Sequence, residues 1–318
     1  MDQQTDLIKL LIKFNGMKTY MAPLLFLVLT SACTNTKNSF WNSSAAYLGQ
    51  IPPTDTPKIF ATGMLTDSGI VLGRVAFSKN GKEFYYGYAS HWFDPNGSGI
   101  KQIIFDGGKW STPKVLFENL SIPTLSTDET KLYLAGNNSD VWQSERTPDG
   151  WKKPIVFLNK RFGLYNFQPT NSGTFYVGSN ADQGDRNDYN SYDFCTLTMS
   201  TTDTIIKSLG LPLNTRGFDG DFYVAPDESY MIVSAKETPD YDSELHISFR
   251  KPDKTWTDPT SLGPLINDGI AHRFGQYVSP DGKYLFYTKG TTEKDTNIYW
   301  VRFDDLLQKA RQSGLSPM

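Results

Sequence analysis

Short apolar segments alternate with polar turns along most of this chain, and five stretches share one pattern. Each has an apolar strand, a turn of the Ser-Pro-Asp-Gly kind, and an aromatic-rich strand. The turns start at Ser78, Ser126, Thr170, Ala225 and Ser279, about 44 to 55 residues apart. Proline presets φ, aspartate bonds to its own backbone and glycine accepts positive φ, so such a turn joins two antiparallel strands. A repeat of this length is typical of one propeller blade.

Further strands complete each repeat. A third strand begins with an acidic or amide residue and an apolar one, as in Asp140-Val141, Asp193-Phe194, Glu244-Leu245 and Asn297-Ile298. A fourth strand carries Trp and Pro in most repeats, and Pro suits an outer edge that need not donate on its free side. The last repeat lacks this strand, whereas Pro57 to Phe60 has the matching pattern.

The predicted fold class is therefore all-β. The repeats indicate a single β-propeller of five four-stranded blades, in which the 57–64 strand closes the ring by pairing with the last blade. Closure of this kind leaves no open sheet edge between the first and last blades. A six-bladed ring is the alternative.

The charge and the cysteine content of the chain exclude some partners and some covalent links. The net charge is -3 and the pI is about 5.7, whereas nucleic-acid binding requires a clustered basic face. We therefore expect no nucleic-acid partner, and we expect a monomer. The chain has two cysteines, Cys33 and Cys195, and removal of Cys33 from the folded part leaves no pair for a disulfide framework.

The first residues are typical of an export signal. Lys18 precedes an apolar run from Met21 to Leu29, which is followed by Thr-Ser-Ala and then Cys33. The run is shorter than the roughly 20 residues that span a bilayer. Cys33 resembles the lipidated cysteine of a lipobox, and Met17 gives a signal of ordinary length. We therefore predict a signal peptide over 1–33, lipidation at Cys33 and attachment to the membrane through this lipid anchor.

The remaining chain is divided by composition. A Ser/Thr/Asn-rich stretch predicts a flexible tether over 34–46. The propeller is expected over 47–305 and a short tail over 306–318.

The residues from Tyr47 to Phe303 resemble the TolB-type β-propeller repeat, a member of the broad WD40-like class. The strongest similarity runs from Asp242 to Phe286, through Trp256, Pro259, Leu262-Gly263, Ile266-Asn267 and the turn after Tyr277. The resemblance implies an exported lipoprotein of the bacterial cell envelope, anchored in the outer membrane. It implies a binding protein for an envelope protein, a peptide or a glycan, and it favours binding over catalysis. Because propellers host unrelated activities, the site requires its own argument.

One mouth of the central channel is the predicted ligand-binding site. Counting back from each turn places Arg74, Asn166, Asp221 and Gly275 at one level, with Asp219 and Arg273 two residues earlier and His272 beside them. Two interpretations remain open. Either these charges form a mutual salt-bridge network, or Arg74 and Arg273 bind an anionic group through bidentate hydrogen bonds.

The sequence supports catalysis and metal binding less strongly than it supports ligand binding. A lyase or glycosidase with its site at the channel mouth is the alternative function, since that mouth carries acids, a base and cations. We assign no catalytic residue and no metal ligand. The loop with Asp182, Asp185 and Asp188 has a spacing compatible with Ca²⁺, but it lacks the EF-hand pattern. A solvated turn is favoured there, and we expect no cofactor.

Overall fold

The computed structural model of this chain describes residues 39–65, 70–92, 96–181, 184–200, 203–215, 219–235 and 242–314. In chain order the strands are β1 (Lys58–Ile59), β2 (Ile70–Phe77), β3 (Glu83–Ala89), β4 (Gly99–Asp106), β5 (Lys109–Trp110), β6 (Lys114–Glu118), β7 (Leu120–Leu125), β8 (Lys131–Gly136), β9 (Val141–Thr147), β10 (Gly150–Trp151), β11 (Ile155–Leu158), β12 (Leu164–Pro169), β13 (Phe175–Ser179), β14 (Asp193–Met199), β15 (Thr204–Ser208), β16 (Phe222–Val224), β17 (Tyr230–Ala235), β18 (Glu244–Phe249), β19 (Thr260–Ser261), β20 (His272–Val278), β21 (Tyr284–Gly290) and β22 (Asn297–Arg302). One α-helix, α1 (Asp304–Gly314), follows them. Short 3₁₀ helices cover Phe40–Asn42, Tyr47–Gly49, Tyr189–Ser191 and Glu293–Asp295.

The strands form five antiparallel sheets, which confirms the five-bladed propeller and excludes six blades. The first blade contains β2 to β6, the second β7 to β11, the third β12 to β15 and the fourth β16 to β19. In the fifth blade β20, β21 and β22 are joined by β1. The third strands begin at the predicted acidic and amide positions or one residue after them.

The N-terminal strand closes the ring as predicted. Lys58 pairs with Trp300 and Ile59 with Tyr299, and the Phe60 N–H donates to the Ile298 carbonyl at 2.7 Å. Regular pairing is limited to Lys58–Ile59, which is shorter than the expected 57–64. The adjacent Phe60 is buried among aromatic side chains of the first and fifth blades.

The propeller has two faces, at opposite ends of its blades. The turn face carries the five hairpin turns that join the first and second strands of each blade. The loop face, at the opposite ends, carries the loops between second and third strands and the connections from one blade to the next. The first strand of each blade starts at the loop face and runs towards the turn face. The predicted mouth residues precede the turns, so they belong to the loop-face end of these strands.

Residues 39–57, called the strap here, dock on the turn face where the first and fifth blades meet. The Trp41 indole donates to the Lys79 carbonyl at 2.8 Å, and the Tyr47 hydroxyl donates to Asp281 Oδ2 at 2.6 Å. Trp41 and Tyr47 are buried in the same aromatic cluster as Phe60. The prediction of a flexible tether over 34–46 is therefore wrong for 39–46, because the aromatic side chains there are buried against the blades. Cys33, the predicted signal peptide and the first part of the tether lie outside the described residues.

The predicted tail is a helix that begins two residues earlier than expected. Leu306, Leu307 and Ala310 pack against the cluster of the fourth and fifth blades that contains Phe303. Within the described part of the chain, no helix is both long and apolar enough to cross a membrane.

Two of the tryptophans beside the outer strands, Trp151 and Trp256, lie in polar clusters with an arginine. Arg146 binds both Glu83 carboxylate oxygens at 2.9 and 3.0 Å, and its guanidinium lies 4.3 Å from the Trp151 ring centroid. Arg250 also lies over a tryptophan, Trp256, but its carboxylate partner at 2.6 Å is Glu228, in the turn between β16 and β17 of its own blade. A tyrosine of the preceding blade completes each cluster: Tyr85 accepts from the Trp151 indole, and Tyr176 accepts from Arg250. These clusters fix one blade to the next.

Candidate functional site

The inner strands are irregular at the centre of the ring. In four blades the pairing of the first two strands shifts register, and Gly73, Ile122, Asn166 and Gly275 have positive φ there. A Cβ added to Gly275 would lie 2.4 Å from the Gly73 carbonyl carbon, so glycine is required where these two backbones meet. These bulges leave backbone groups that side chains must satisfy.

Arg74 is the residue that bridges the centre. Its Nε donates to the Gln276 carbonyl and its Nη1 to Thr124 Oγ1, both at 3.3 Å, while Nη2 donates to the Phe222 carbonyl. The side chain thus connects the first blade with the second, fourth and fifth. It is 2% exposed, and burial lowers its pKa to about 10 although nearby Asp221 favours the charged form. The guanidinium is a brace across the channel.

Asp221 is the buried carboxylate nearest to this brace. Its oxygens accept from the Tyr165 hydroxyl at 3.3 and 3.4 Å and from the Gly275 N–H. Desolvation raises the pKa of Asp221 to about 6, against the opposing effect of Arg74. The charges of Asp221 and Arg74 therefore stabilise each other across the channel without a direct contact of salt-bridge length between described atoms.

Three buried amides fill the remaining space. Asn166 and Gln168 donate to the Phe222 carbonyl at 3.0 and 2.8 Å, and Gln168 accepts from the Val224 N–H at 3.1 Å. Gln276 donates to Ser234 Oγ at 2.7 Å. Gln276 Oε1 is buried without a hydrogen-bond partner among the described residues, whereas the amide groups named above bond within the protein. All three side chains are buried, so they close the channel at this level.

Arg273 and Asp219, which occupy equivalent positions, turn away from this cluster into the loops that precede them. Arg273 is 1% exposed and donates to the carbonyls of Ser243, Ile266, Asp268, Gly269 and Ala271. Asp219 accepts from the N–H and the hydroxyl of Thr215 at 2.7 and 2.9 Å, and desolvation raises its pKa to about 6. Both residues hold the preceding loop in place through hydrogen bonds, although their charges are opposite.

His272 lies in an aromatic environment at the loop face. Its ring stacks on Phe274 with centroids 4.2 Å apart and meets Trp92 edge-on at 6.0 Å. Burial lowers the pKa of His272 to about 4, so the imidazole is neutral at pH 7. Packing is the evident role of this ring.

The six predicted mouth residues therefore divide into two groups. Arg74, Asn166 and Asp221 come together at the centre with Gly275, as the counting predicted. Asp219, Arg273 and His272 do not join them. An anion held between Arg74 and Arg273 is incompatible with this geometry, because the five N–H donors of Arg273 already meet backbone carbonyls. The acids, base and cations of the predicted mouth are therefore not gathered at one place, since Asp219 faces its own loop.

Two asparagines that sequence reasoning missed hold the loops between blades. Asn214 accepts from the Phe194 N–H at 2.8 Å and donates to the carbonyl of the same residue at 3.1 Å. Asn267 does the same with Leu245, at 2.8 and 3.0 Å. The signal was present in the sequence as a repeated Ser-Leu-Gly-x-x-(Leu/Ile)-Asn, which ends at these two positions.

The anchored loops present apolar side chains to solvent. Leu211 is 88% exposed and Ile270 is 75% exposed, and Leu265 and Tyr189 are also exposed on the loop face. Single exposed apolar side chains are common on soluble proteins, but several at one end of a propeller make that end a candidate for contact with a partner. This surface, formed by loops of the third, fourth and fifth blades, is the candidate functional site.

The acidic loop of the third blade is organised by its own amides. Asn180 donates to the carbonyls of Asp185 and Asp188, and Asp185 Oδ1 accepts from the Asn187 N–H at 2.9 Å. Asp182 lies outside the described residues. Among those described, no group of three or more His, Cys, Asp or Glu is placed to hold a metal ion.

The known proteins that resemble this chain do so only distantly. No protein-family model matches the chain, and no curated protein matches it. Similar solved structures include the β-propeller domain of Cps50 (Swd1) from Myceliophteria thermophila, with 11% identity, 72% of this chain and 67% of that chain covered, and a TM-score of 0.39. A putative 6-phosphogluconolactonase from Bacteroides uniformis has 14% identity, 67% and 76% coverage and a TM-score of 0.37. TolB from Acinetobacter baumannii has 12% identity, 73% and 54% coverage and a TM-score of 0.40.

These similarities concern architecture alone, and the assignment of the fold rests on the strand pairing of this chain. The protein is a five-bladed β-propeller with a closed centre and anchored loops.

Proposed function

We propose that this chain is a lipid-anchored envelope protein that binds a partner protein through the loop face of its third, fourth and fifth blades. The observation that carries the proposal is the pair of exposed side chains, Leu211 and Ile270, on loops whose backbones are clamped by buried polar residues. A rigid apolar surface loses little entropy on binding, which favours recognition by preorganisation.

The closed centre supports the same conclusion. Arg74 and the amides around it use the polar groups of the channel for contacts between blades. The turn face beside the first and fifth blades is covered by the strap, and helix α1 packs on the fourth and fifth. The loop face is therefore the end of the ring that is best suited to a partner.

The envelope location rests on the sequence of the N-terminus. The apolar run followed by Thr-Ser-Ala-Cys33 is typical of an exported lipoprotein, and we place the protein in the outer membrane. Growth with a clickable fatty acid should label the protein, and Cys33→Ser should abolish the label. A labelled Cys33→Ser protein would exclude lipidation at this residue.

Partner binding is tested by photo-crosslinking from the loop face and, as a control, from the outer strands. A photoreactive amino acid at Leu211 or Ile270 should give one discrete crosslinked product in intact cells. The matched controls are Ile155 and Ile205, exposed residues on outer strands of the second and third blades. Leu211→Asp combined with Ile270→Asp should remove the product from a third loop-face position, Leu265. Equal crosslinking from the outer strands would refute the assignment of the surface.

A further inference from the structure

The strap fixes where the chain leaves the propeller. Trp41 and Tyr47 bind turn residues of the first and fifth blades, and Asn42 Oδ1 accepts from Lys283 Nζ at 3.0 Å. Ser39, the first described residue, is exposed at this place. Any anchor N-terminal to Ser39 is therefore attached at the turn face.

The chain between the predicted anchor and the strap is short. Five residues, 34–38, separate Cys33 from Ser39 in the sequence. Even when fully extended, six such steps cover at most about 22 Å. The eight-residue strand β2, which runs between the two faces, spans about 26 Å at about 3.3 Å per residue. A lipid at Cys33 would thus hold the turn face near the bilayer, and the loop face would be the more distant end.

The surface around Ser39 has the chemistry of a headgroup contact. A hollow of about 620 Å³ is lined by Ser39, Phe40, Asn42, Ser43, Asn80 and Lys82. Lys82 Nζ lies 5.7 Å from the Phe40 ring centroid, Lys283 Nζ donates to Asn42 Oδ1 at 3.0 Å, and the exposed Lys79 directly precedes Asn80 in the chain. Hydroxyls, amides and ammonium groups donate to phosphate oxygens, and an aromatic ring suits the membrane interface.

The acidic groups near these lysines are already engaged. Asp281 accepts from the Tyr47 hydroxyl and lies 3.7 Å from Lys283 Nζ. Glu129 accepts from the Lys79 backbone N–H, and Lys79 Nζ donates to the Thr127 carbonyl. Lys82 lines the hollow with its ammonium near the Phe40 ring, so it adds a positive charge at the edge of the hollow.

We propose that the turn face beside the strap contacts anionic lipid headgroups of the anchoring membrane, so that the loop face points away from the bilayer. This orientation rests on the lipid anchor of the proposed function. The lysines around the hollow supply an attraction of their own, which does not require the anchor. The two parts can therefore be tested separately.

The first experiment measures orientation in the lipidated full-length protein. Asn80→Cys on the turn face and Ile270→Cys on the loop face are labelled with an environment-sensitive fluorophore. The protein is then placed on vesicles of phosphatidylcholine and phosphatidylglycerol that contain a headgroup quencher. Strong quenching at position 80 and little at 270 is expected. Equal quenching at both positions, or stronger quenching at 270, would overturn the orientation.

The second experiment uses Cys33→Ser protein, which separates the surface from the anchor. Sedimentation with phosphatidylglycerol vesicles should exceed that with phosphatidylcholine vesicles. Lys79→Gln, Lys82→Gln and Lys283→Gln together should reduce binding at least tenfold. The control is Lys114→Gln, Lys207→Gln and Lys294→Gln, which changes the charge equally away from the strap. Equal loss in both triple variants would refute the surface, whereas absence of fatty-acid labelling would refute only the anchor.

Discussion

The guanidinium of Arg74, on the first blade, donates to the backbone carbonyl of Phe222 on the fourth. These blades are not neighbours in a ring of five, so the bond crosses the channel. The amides of Asn166 and Gln168, on the third blade, donate to the same carbonyl. One backbone oxygen thus connects three blades, and the channel residues that suggested a ligand site instead hold the ring together.

Replacing Arg74 by Ala should destabilise the fold. The substitution leaves the buried Asp221 without its compensating charge and removes donors from three blades, which together should cost about 3–5 kcal/mol. Arg74→Lys should recover only part of this loss, because an ammonium cannot reach three partners in a planar arrangement. Urea denaturation measures the effect, with the exposed Arg161→Ala as control. A loss below about 1 kcal/mol would contradict the role of Arg74 as a brace.

Arg273→Ala should loosen the loop between the fourth and fifth blades. Buried carbonyls left without donors cost about 1–3 kcal/mol in comparable proteins, so a total loss of several kcal/mol is expected. Hydrogen exchange of amides in the segment 263–271 should accelerate more than exchange in β12 and β13 of the distant third blade. Full rescue by Arg273→Lys would argue against a requirement for the five donors of arginine.

Asp221→Asn should change the pH dependence of stability. The pKa of Asp221 is raised from 3.8 to about 6 in the folded protein, so between these values the folded state retains a proton that the unfolded chain releases. The stabilising contribution is therefore complete below about pH 4 and is lost as the pH rises through 6. Since Asn cannot titrate, the variant should gain stability relative to wild type between pH 4 and pH 7, by roughly 3 kcal/mol at about 1.4 kcal/mol per pKa unit. A constant difference across this range would disprove the shift.

Ring closure should depend on Phe60 and much less on its neighbour Ile59. Phe60 is 2% exposed, whereas Ile59 is 38% exposed on the same segment. Phe60→Ala is expected to cost about 3–5 kcal/mol and Ile59→Ala less than about 1 kcal/mol.

Removal of residues 34–52 should also destabilise the protein, since it deletes the buried Trp41 and Tyr47. Thermal melting compares these proteins, and equal melting temperatures for the two alanine variants would exclude closure through Phe60.

The sequence by itself determined the repeat and the way the ring closes, and it favoured five blades over six. Turn chemistry at Ser279-Pro280-Asp281-Gly282 and its four counterparts acts over a few residues, and strand periodicity is equally local. The missing outer strand of the last repeat and the matching pattern at Pro57 then specified closure. Counting back from each turn also predicted that Arg74, Asn166 and Asp221 lie at one level of the channel. This worked because the inner strands of a propeller have a similar register.

Only the tertiary structure decided where the long polar side chains point and what the strap contacts. Arg273 and Asp219 occupy equivalent positions, yet each reaches back to its own loop, whereas Arg74 reaches across the channel. Most partners of the two arginines are backbone carbonyls, which every residue carries and which therefore leave no signature in a sequence. The strap was misread for a related reason. Its polar composition suggested a tether, but the burial of Trp41 and Tyr47 depends on aromatic surfaces of the first and fifth blades that only folding brings together.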